Sequence, residues 1–262
     1  MSQSALYVHQ ILFDFPGKTK HENAVNVPNV PPNAIYRRWT LTEAIELIRT
    51  HYPCFESVMT HDTEFPIVKC DFFRYVLMHK FGGVYFDLDF MPLRPIDALF
   101  RDSECRSVFC RPVRSGVPEV MLCEEWHDSA RMTQTLHNGI LFSRSPNHPF
   151  WLEMMWSVYN GLRTKSPTCA NDVYMLSGPK RLCAEARTAI ERYTDVVILP
   201  YYYCCPYVAH RRSDGEQTVC NGPGEVPRLD SHTWAFPSRD ANIHQRYPNS
   251  YFVCLGGTSM WK

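Results

Sequence analysis

The sequence predicts an α/β fold, and three observations carry that expectation. Short apolar runs of period two alternate along the chain with stretches of helical spacing, the pattern of strands and helices packed in layers. The helical stretches carry start and stop signals: a capping box at Thr40-Leu41-Thr42-Glu43, a proline at 66 and a double glycine at Gly82-Gly83. The chain has 262 residues, of which 45% are hydrophobic, enough for a sizeable core. That length suits a single domain over residues 1–262 better than a string of modules.

Taken in order, residues 5–13 (ALYVHQILF) favour a first buried strand, stopped by Asp14-Phe15-Pro16-Gly17. The proline-punctuated segment through Pro32 reads as a surface excursion. At the capping box the Thr40 hydroxyl accepts from the third helical amide and Glu43 returns to the cap amide, and Leu41, Ala44, Ile45, Leu47 and Ile48 give one apolar face. A second helix starts at Pro66, where a missing amide hydrogen costs nothing, and runs to Lys80. Val84, Phe86, Leu88 and Phe90 then alternate with Tyr85, Asp87 and Asp89, which predicts one strand over 84–90, ended by Pro92. Short strands are expected at 107–111 and 139–143, helices at 150–159 and 179–193, and a strand at 196–199. Glu124 and Glu125 fall in a stretch with helical spacing. Residues from about 200 to 262, rich in Gly, Pro and aromatics, read as an irregular segment closing over the site.

Composition excludes some classes. With 27 basic and 27 acidic residues and no long Lys/Arg run, the chain has no electrostatic basis for nucleic-acid binding. No apolar run reaches the roughly 18 to 20 residues of a membrane helix, and the first residues lack the features of a secretory signal. The expectation is a cytoplasmic protein without a membrane span, with peripheral recruitment left open. Eleven cysteines, an odd number, fit a reducing compartment. Cys204-Cys205 with Cys220 lack the paired C-x-x-C units of a structural zinc site.

The chemistry concentrates at Asp87 and Asp89. Residues two apart on a strand project to one side, so both carboxylates can converge on one cation where the strand ends. Hard oxygen ligands suit Mg²⁺ or Mn²⁺, with phosphate oxygens completing the shell. Two carboxylates in so apolar a strand would be costly to bury without a cation. Asp71 and Arg74 share a face of the preceding helix. They form either a local salt bridge or, because their helix leads into the carboxylate strand, a pair that accepts from sugar or ribose hydroxyls and donates to sugar or phosphate oxygens. His9 reads as a packed histidine or a ligand contact. Trp39, taken as an exposed ring before a capped helix, is a candidate to stack on a base.

The run Asp71-Phe72-Phe73-Arg74-Tyr75, followed by Phe81-Gly82-Gly83-Val84-Tyr85-Phe86-Asp87-Leu88-Asp89, closely resembles the DXD-containing sugar-binding region of the Och1-like glycosyltransferases, glycosyltransferase family 32. Related patterns occur in α-1,4-galactosyltransferases and in the glucosylating domain of large clostridial toxins. The resemblance implies a GT-A-type (Rossmann-like) nucleotide-sugar-binding fold with a central mixed sheet flanked by helices, a divalent metal, usually Mn²⁺, and retention of anomeric configuration. It extends to Tyr7-Val8-His9-Gln10, to Asn138-Gly139-Ile140-Leu141 with Asn138 facing the sugar, and to Ser177-Gly178-Pro179 with Asp172 upstream as an acceptor-side or sugar-contacting carboxylate. His232-Thr233-Trp234 resembles the His-x-Trp element, which makes His232 a metal or diphosphate ligand and puts Trp234 at the nucleotide. The Ser-Trp that commonly follows is replaced by Ala235-Phe236-Pro237-Ser238, and Ser259-Met260-Trp261 resembles the Ser-x-Trp that folds over the diphosphate in the toxin domains.

The expected activity is metal-dependent transfer of a hexose (mannose, galactose or glucose) from a UDP- or GDP-linked sugar to a glycan hydroxyl. Two other classes stand beside it: a non-catalytic carbohydrate-binding protein on the same fold, and a metal-dependent phosphoester hydrolase.

Overall fold

The structure, a computed structural model, describes residues 5–15, 27–101, 117–128, 133–204, 207–208, 217–219, 228–229, 248 and 250–254. The expected first strand is β1 (Tyr7–Ile11), and beside it runs a parallel β2 (Ile35–Trp39) in continuous register from Tyr7 opposite Ile35 to Ile11 opposite Trp39. The capping box then forms as the sequence predicts: Glu43 N donates to Thr40 Oγ1 at 3.3 Å and Thr40 N to Glu43 Oε2 at 2.9 Å, opening α1 (Leu41–His51). A short α2 (Glu56–Thr60) leads to α3 (Ile67–Lys80), which starts one residue beyond Pro66. There follow β3 (Gly83–Phe86), β4 (Phe90–Pro92), α4 (Ala98–Arg101), β5 (Val120–Asp128) and β6 (Thr133–Ser143). The chain continues through α5 (Pro149–Thr164), α6 (Ala170–Leu176), α7 (Pro179–Arg192) and β7 (Val196–Leu199) to short strands β8 (Tyr207–Val208), β9 (Gln217–Val219), β10 (Arg228–Leu229) and β11 (Phe252–Cys254).

Six strands form the central sheet in the order β2-β1-β3-β6-β5-β7. β1 is parallel to β2 and β3, β6 is antiparallel to β3 and β5, and β5 is parallel to β7, so the sheet is mixed. One face of the sheet carries the side chains of α1, α3, α5 and α7, including Ala44, Ile48, Phe72, Trp151 and Leu182. The other is covered by the β4–β11 ribbon and by Ile96, Leu99, Tyr203 and Tyr251. β3 displays the period-two logic directly: Val84 and Phe86 enter the second layer while Tyr85 enters the first. α3 is buried on nearly every side, since Phe72, Phe73, Tyr75, Val76, Leu77 and Met78 are all 0% exposed. Over residues 70–78 the helix has no solvent face on which to place charges, so Asp71 and Arg74 must be satisfied internally.

Two expectations change, and others fall where the structure describes no residues. The strand predicted over 84–90 ends at Phe86: Asp87 N still donates in register to Gly139 O of β6 at 2.8 Å, but Phe90 N donates to Asp87 O at 3.0 Å and closes a turn before β4. Asp87 and Asp89 therefore lie in a turn between two strands and not two apart along one. The stretch with Glu124 and Glu125 is strand β5, where pairing with β6 and β7 overrides a helical spacing. Residue 107–111, and most of the segment from about 200 to 262 with His232, Trp234, Ser259 and Trp261, lie outside the described residues.

Gly83 fixes the join between α3 and the sheet. Its φ of +85° is left-handed, and a Cβ there would sit 2.1 Å from the Tyr7 carbonyl oxygen of β1. Gly83→Ala is therefore expected to cost about 3 kcal/mol, from left-handed strain plus a clash that only backbone movement relieves. Thermal unfolding should register it as a midpoint lower by roughly 10 °C.

His9 and Trp39 interlock beneath the sheet. Trp39 Nε1 donates to His9 Nδ1 at 3.2 Å, so Nε2 carries the proton and donates to Gly82 O at 3.1 Å. Burial lowers the His9 pKa from 6.5 to about 4, and a proton on Nδ1 would face the indole N–H. The folded state thus resists protonation that the unfolded chain accepts, and the stability His9 contributes above pH 6.5 is lost as the pH falls towards 4. Between pH 7.5 and 5 this loss is about 2 kcal/mol. Denaturant titrations at the two pH values should show it as a difference between wild type and His9→Gln, which does not titrate.

Candidate active site

A buried polar cluster forms where α3, the β3–β4 turn, β6 and the α6–α7 junction meet. Asp71 Oδ1 accepts from Asn138 Nδ2 at 2.9 Å and faces Arg74 Nη2 at 3.1 Å, and Oδ2 accepts from Ser177 Oγ at 2.9 Å. Arg74 Nη1 donates to Asn138 O at 2.7 Å and lies 3.4 Å from Asp87 Oδ1. The Tyr85 hydroxyl donates to the same Asp87 oxygen, and the guanidinium stands 5.1 Å over the Tyr85 ring. Tyr75 OH donates to Ser177 O at 2.9 Å, so α3 grips Ser177 twice. One helix face thereby carries a charge pair whose partners come from three other parts of the chain.

The electrostatics follow from burial. Asp71 and Arg74 are 4% and 3% exposed. Burial pushes the Asp71 carboxyl up to about 6, against the pull of Arg74 and of its hydrogen bonds, so it is ionised at neutral pH. Burial also works against the Arg74 charge, but Asp87, Tyr85 and Asp71 outweigh it and hold the guanidinium above its ordinary range. The Asp87 side chain is 34% exposed, so the cluster runs from a dry interior to an open carboxylate. Asp89 follows in the same turn, half-buried.

Two glycines allow this convergence. Leu122 of β5 pairs with Leu141, and the next residue, Cys123, pairs with His137, so Asn138, Gly139 and Ile140 bulge out of that ladder. Such a bulge re-aims side chains at an active site; here it sends Asn138 to Asp71 and brings Gly139 against the turn. A Cβ on Gly139 would lie 2.5 Å from Asp87 Oδ2. Gly178, at the start of α7, approaches Asp71 closely enough that a Cβ would stand 3.4 Å from Oδ2.

Of the residues singled out in the sequence, Asp71, Arg74, Asp87, Asn138 and Gly178 are brought together. Trp39 is not the exposed ring that was expected: it is 1% exposed, packed between His9, Phe73 and Phe81. His9 is fully buried with both ring nitrogens engaged, which agrees with its reading as a packed histidine and not with the alternative of a ligand contact. Asp172 is tied to the loop before α6, accepting from Thr168 N and Oγ1 at 2.9 and 2.8 Å and from Lys165 Nζ. Lys165 and then Thr168 hold its carboxyl well below the usual range. Ser177 and Tyr85, which stand in the quoted runs without an assigned role, join the site, as does His137. The neighbours Gly178 and Asn138 pointed to two of them.

The turn offers a cation two carboxylates, and among the described residues no group of three or more His, Cys, Asp or Glu surrounds it. That donor set fits Mg²⁺ or Mn²⁺, which are commonly held by one or two carboxylates together with substrate phosphates. Among the described residues no helix is long and apolar enough to cross a membrane.

Residues 24–105 match the family model described as "Glycosyltransferase sugar-binding region containing DXD motif". Mannosyl phosphorylinositol ceramide synthase SUR1 of Saccharomyces cerevisiae is 37% identical over 68 residues, a segment covering 26% of this chain and 18% of that protein. The chain thus matches less than a fifth of the length of this curated relative. Among solved structures, the PaToxG glycosyltransferase superposes with a TM-score of 0.46 at 12% identity, covering 71% of this chain and 70% of that one. A glycosyltransferase involved in glycosylation of the major capsid of PBCV-1 gives 0.38 at 12% identity over 97% and 95%. The UDP-bound glycosyltransferase domain of the YGT toxin gives 0.38 at 11% identity over 62% and 52%. Residues 24–105 thus carry a DXD-containing sugar-binding region of the glycosyltransferase type, and the mixed sheet flanked by helices is consistent with a GT-A-like nucleotide-sugar-binding architecture.

Proposed function

We propose that this chain is a metal-dependent, retaining glycosyltransferase of the Och1-like kind, moving a hexose from a UDP- or GDP-linked sugar to a glycan hydroxyl. The observation that carries the reading is the run of charge from buried Asp71 through Arg74 to the open carboxylate of Asp87, all three inside the region that matches the DXD family model and braced by Asn138 from β6. A salt bridge serving stability alone has no need to reach an exposed turn with a second carboxylate.

In this reading Asp87 and Asp89 hold Mn²⁺ or Mg²⁺, and a bound cation would offset charge on the departing diphosphate. Arg74 fixes Asp87 and the β6 bulge. Asp71 has accepted three donors and keeps acceptor capacity for a sugar or ribose hydroxyl. Asn138 and Gly178 shape the wall against the sugar, and Asp172 orders the α6 approach to the acceptor side. His232, Trp234, Ser259 and Trp261 enter the proposal through the family resemblance alone, as a ligand and a closing segment. The acceptor hydroxyl attacks the anomeric carbon on the face from which the diphosphate leaves, and the diphosphate takes the acceptor proton. Asp71 suits a positioning role better than a nucleophilic one, being 4% exposed and paired. Free thiols at Cys54, Cys70, Cys123, Cys169, Cys183 and Cys204 favour a reducing compartment such as the cytoplasm.

The test is nucleoside diphosphate release from a panel of UDP- and GDP-hexoses with Mn²⁺, with and without oligosaccharide acceptors, followed by the anomeric configuration of the product. Metal-dependent release with a retained anomer is expected. Glycan binding without turnover would make the protein a carbohydrate-binding module, and phosphate release from simple phosphomonoesters would make it a hydrolase; either result overturns the proposal.

A further inference from the structure

His137 is the one imidazole placed beside the carboxylate turn among the described residues, and its chemistry is fixed by the backbone. Gly139 N donates to His137 Nδ1 at 2.9 Å, so Nδ1 is the acceptor and Nε2 carries the proton. The ring stands edge-on to Phe90 with centroids 5.0 Å apart, which sets its plane. A Cβ on Gly139 would lie 2.7 Å from His137 Cε1 and 2.5 Å from Asp87 Oδ2, so imidazole and carboxylate flank the same small gap that only glycine leaves open. Neither group is sealed off, since the Asp87 side chain is 34% exposed and His137 is half-buried.

An oriented N–H donor next to a carboxylate acceptor is complementary to a hydroxyl, which both donates and accepts. A phosphate oxygen only accepts, so it could take the Nε2–H but would give nothing to the carboxylate, whereas a hydroxyl satisfies both. We infer that His137 donates from Nε2 to a hydroxyl of the transferred sugar, beside Asp87, and so contributes to which hexose is taken. The inference rests on the glycosyltransferase reading of the site and adds to it a sugar-selecting residue. The bulge at Asn138–Ile140 explains why β6 serves both sides of the pocket, with Asn138 turned to Asp71 and His137 to the turn.

Two substitutions separate recognition from packing. His137→Phe keeps a ring against Phe90 and removes the N–H. His137→Gln drops the ring but places an amide N–H about as far from the backbone as Nε2. Binding of the free nucleoside diphosphate and of the intact sugar nucleotide, each with Mn²⁺, is measured by calorimetry for wild type and both variants, with thermal midpoints to confirm folding. His137→Phe should leave the diphosphate affinity within about twofold and weaken the sugar nucleotide about tenfold, the loss of one hydrogen bond to a neutral group. His137→Gln should restore most of that difference and change the ranking among epimeric hexoses. Equal weakening of both ligands, an unchanged sugar nucleotide affinity in His137→Phe, or no recovery in a folded His137→Gln overturns the inference. A wild-type protein that binds no sugar nucleotide would overturn the glycosyltransferase reading as well, and would be seen before any variant is made.

Discussion

Asp89→Asn is expected to reduce sugar transfer by roughly a thousandfold or more while leaving the fold intact. Asp89 sits in the half-buried turn between β3 and β4, outside the sheet ladder and beyond the buried cluster. Replacing one carboxylate oxygen by an amide there removes a charge at nearly constant volume. On the function proposed above, the loss falls on activity because Asp89 is one of the two carboxylates that would hold the cation. Diphosphate release in single turnover, together with an unchanged melting midpoint, checks the prediction. Full activity in a folded Asp89→Asn would remove the metal role from this turn.

Arg74→Met is expected to damage both stability and function. The guanidinium is 3% exposed and is the charge partner of Asp71 at 3.1 Å and of Asp87 at 3.4 Å. Methionine fills much of the volume but leaves Asp71 buried with Asn138 and Ser177 as its remaining donors. Breaking a buried pair from one side costs about 3 to 5 kcal/mol, and in a chain of this size that lowers the melting midpoint by roughly 10 °C. Because Arg74 also holds the carbonyl of Asn138, the β6 bulge and Asp87 should both lose their position, and transfer should fall below detection. The double variant Arg74→Met/Asp71→Asn separates the two effects. With no stranded carboxylate it should regain about half of the lost stability and remain inactive. Recovery of activity in the double variant would reduce the pair to a structural salt bridge.

The parts of the fold with local signals were legible in the sequence. Thr40 and Glu43 name their own partners three residues apart, Gly82-Gly83 ends α3, and Val196–Leu199 is a short apolar run between a helix and a proline. Elements defined by distant pairing were not legible. β2 carries Arg37 and Arg38 in a five-residue edge strand, and what makes it a strand is β1, some 28 residues earlier in register. Asp87-Leu88-Asp89 continues the alternation of β3 in composition, yet the Phe90 amide returns to the Asp87 carbonyl and turns the chain into β4, whose partner is the distant β11. Within the site, Asp71, Arg74, Asp87 and Asn138 were identified because they fall in recognisable runs. Ser177 and Tyr85 stand in the same runs without an assigned role and His137 stands just outside one, because each acquires its role from a neighbour 2 to 106 residues away that only folding supplies. Trp39 misled for the complementary reason: its indole looked spare until His9 appeared as its acceptor.

The most direct test of the central claim is a calorimetric titration of the wild-type protein with UDP and with GDP, each in the presence and absence of Mn²⁺. The site built around Asp71, Arg74, Asp87 and Asp89 predicts binding of one of the two that strengthens at least tenfold with Mn²⁺ and loses that dependence in Asp87→Asn/Asp89→Asn. Binding of neither nucleotide, or equal binding with and without the metal, would contradict it.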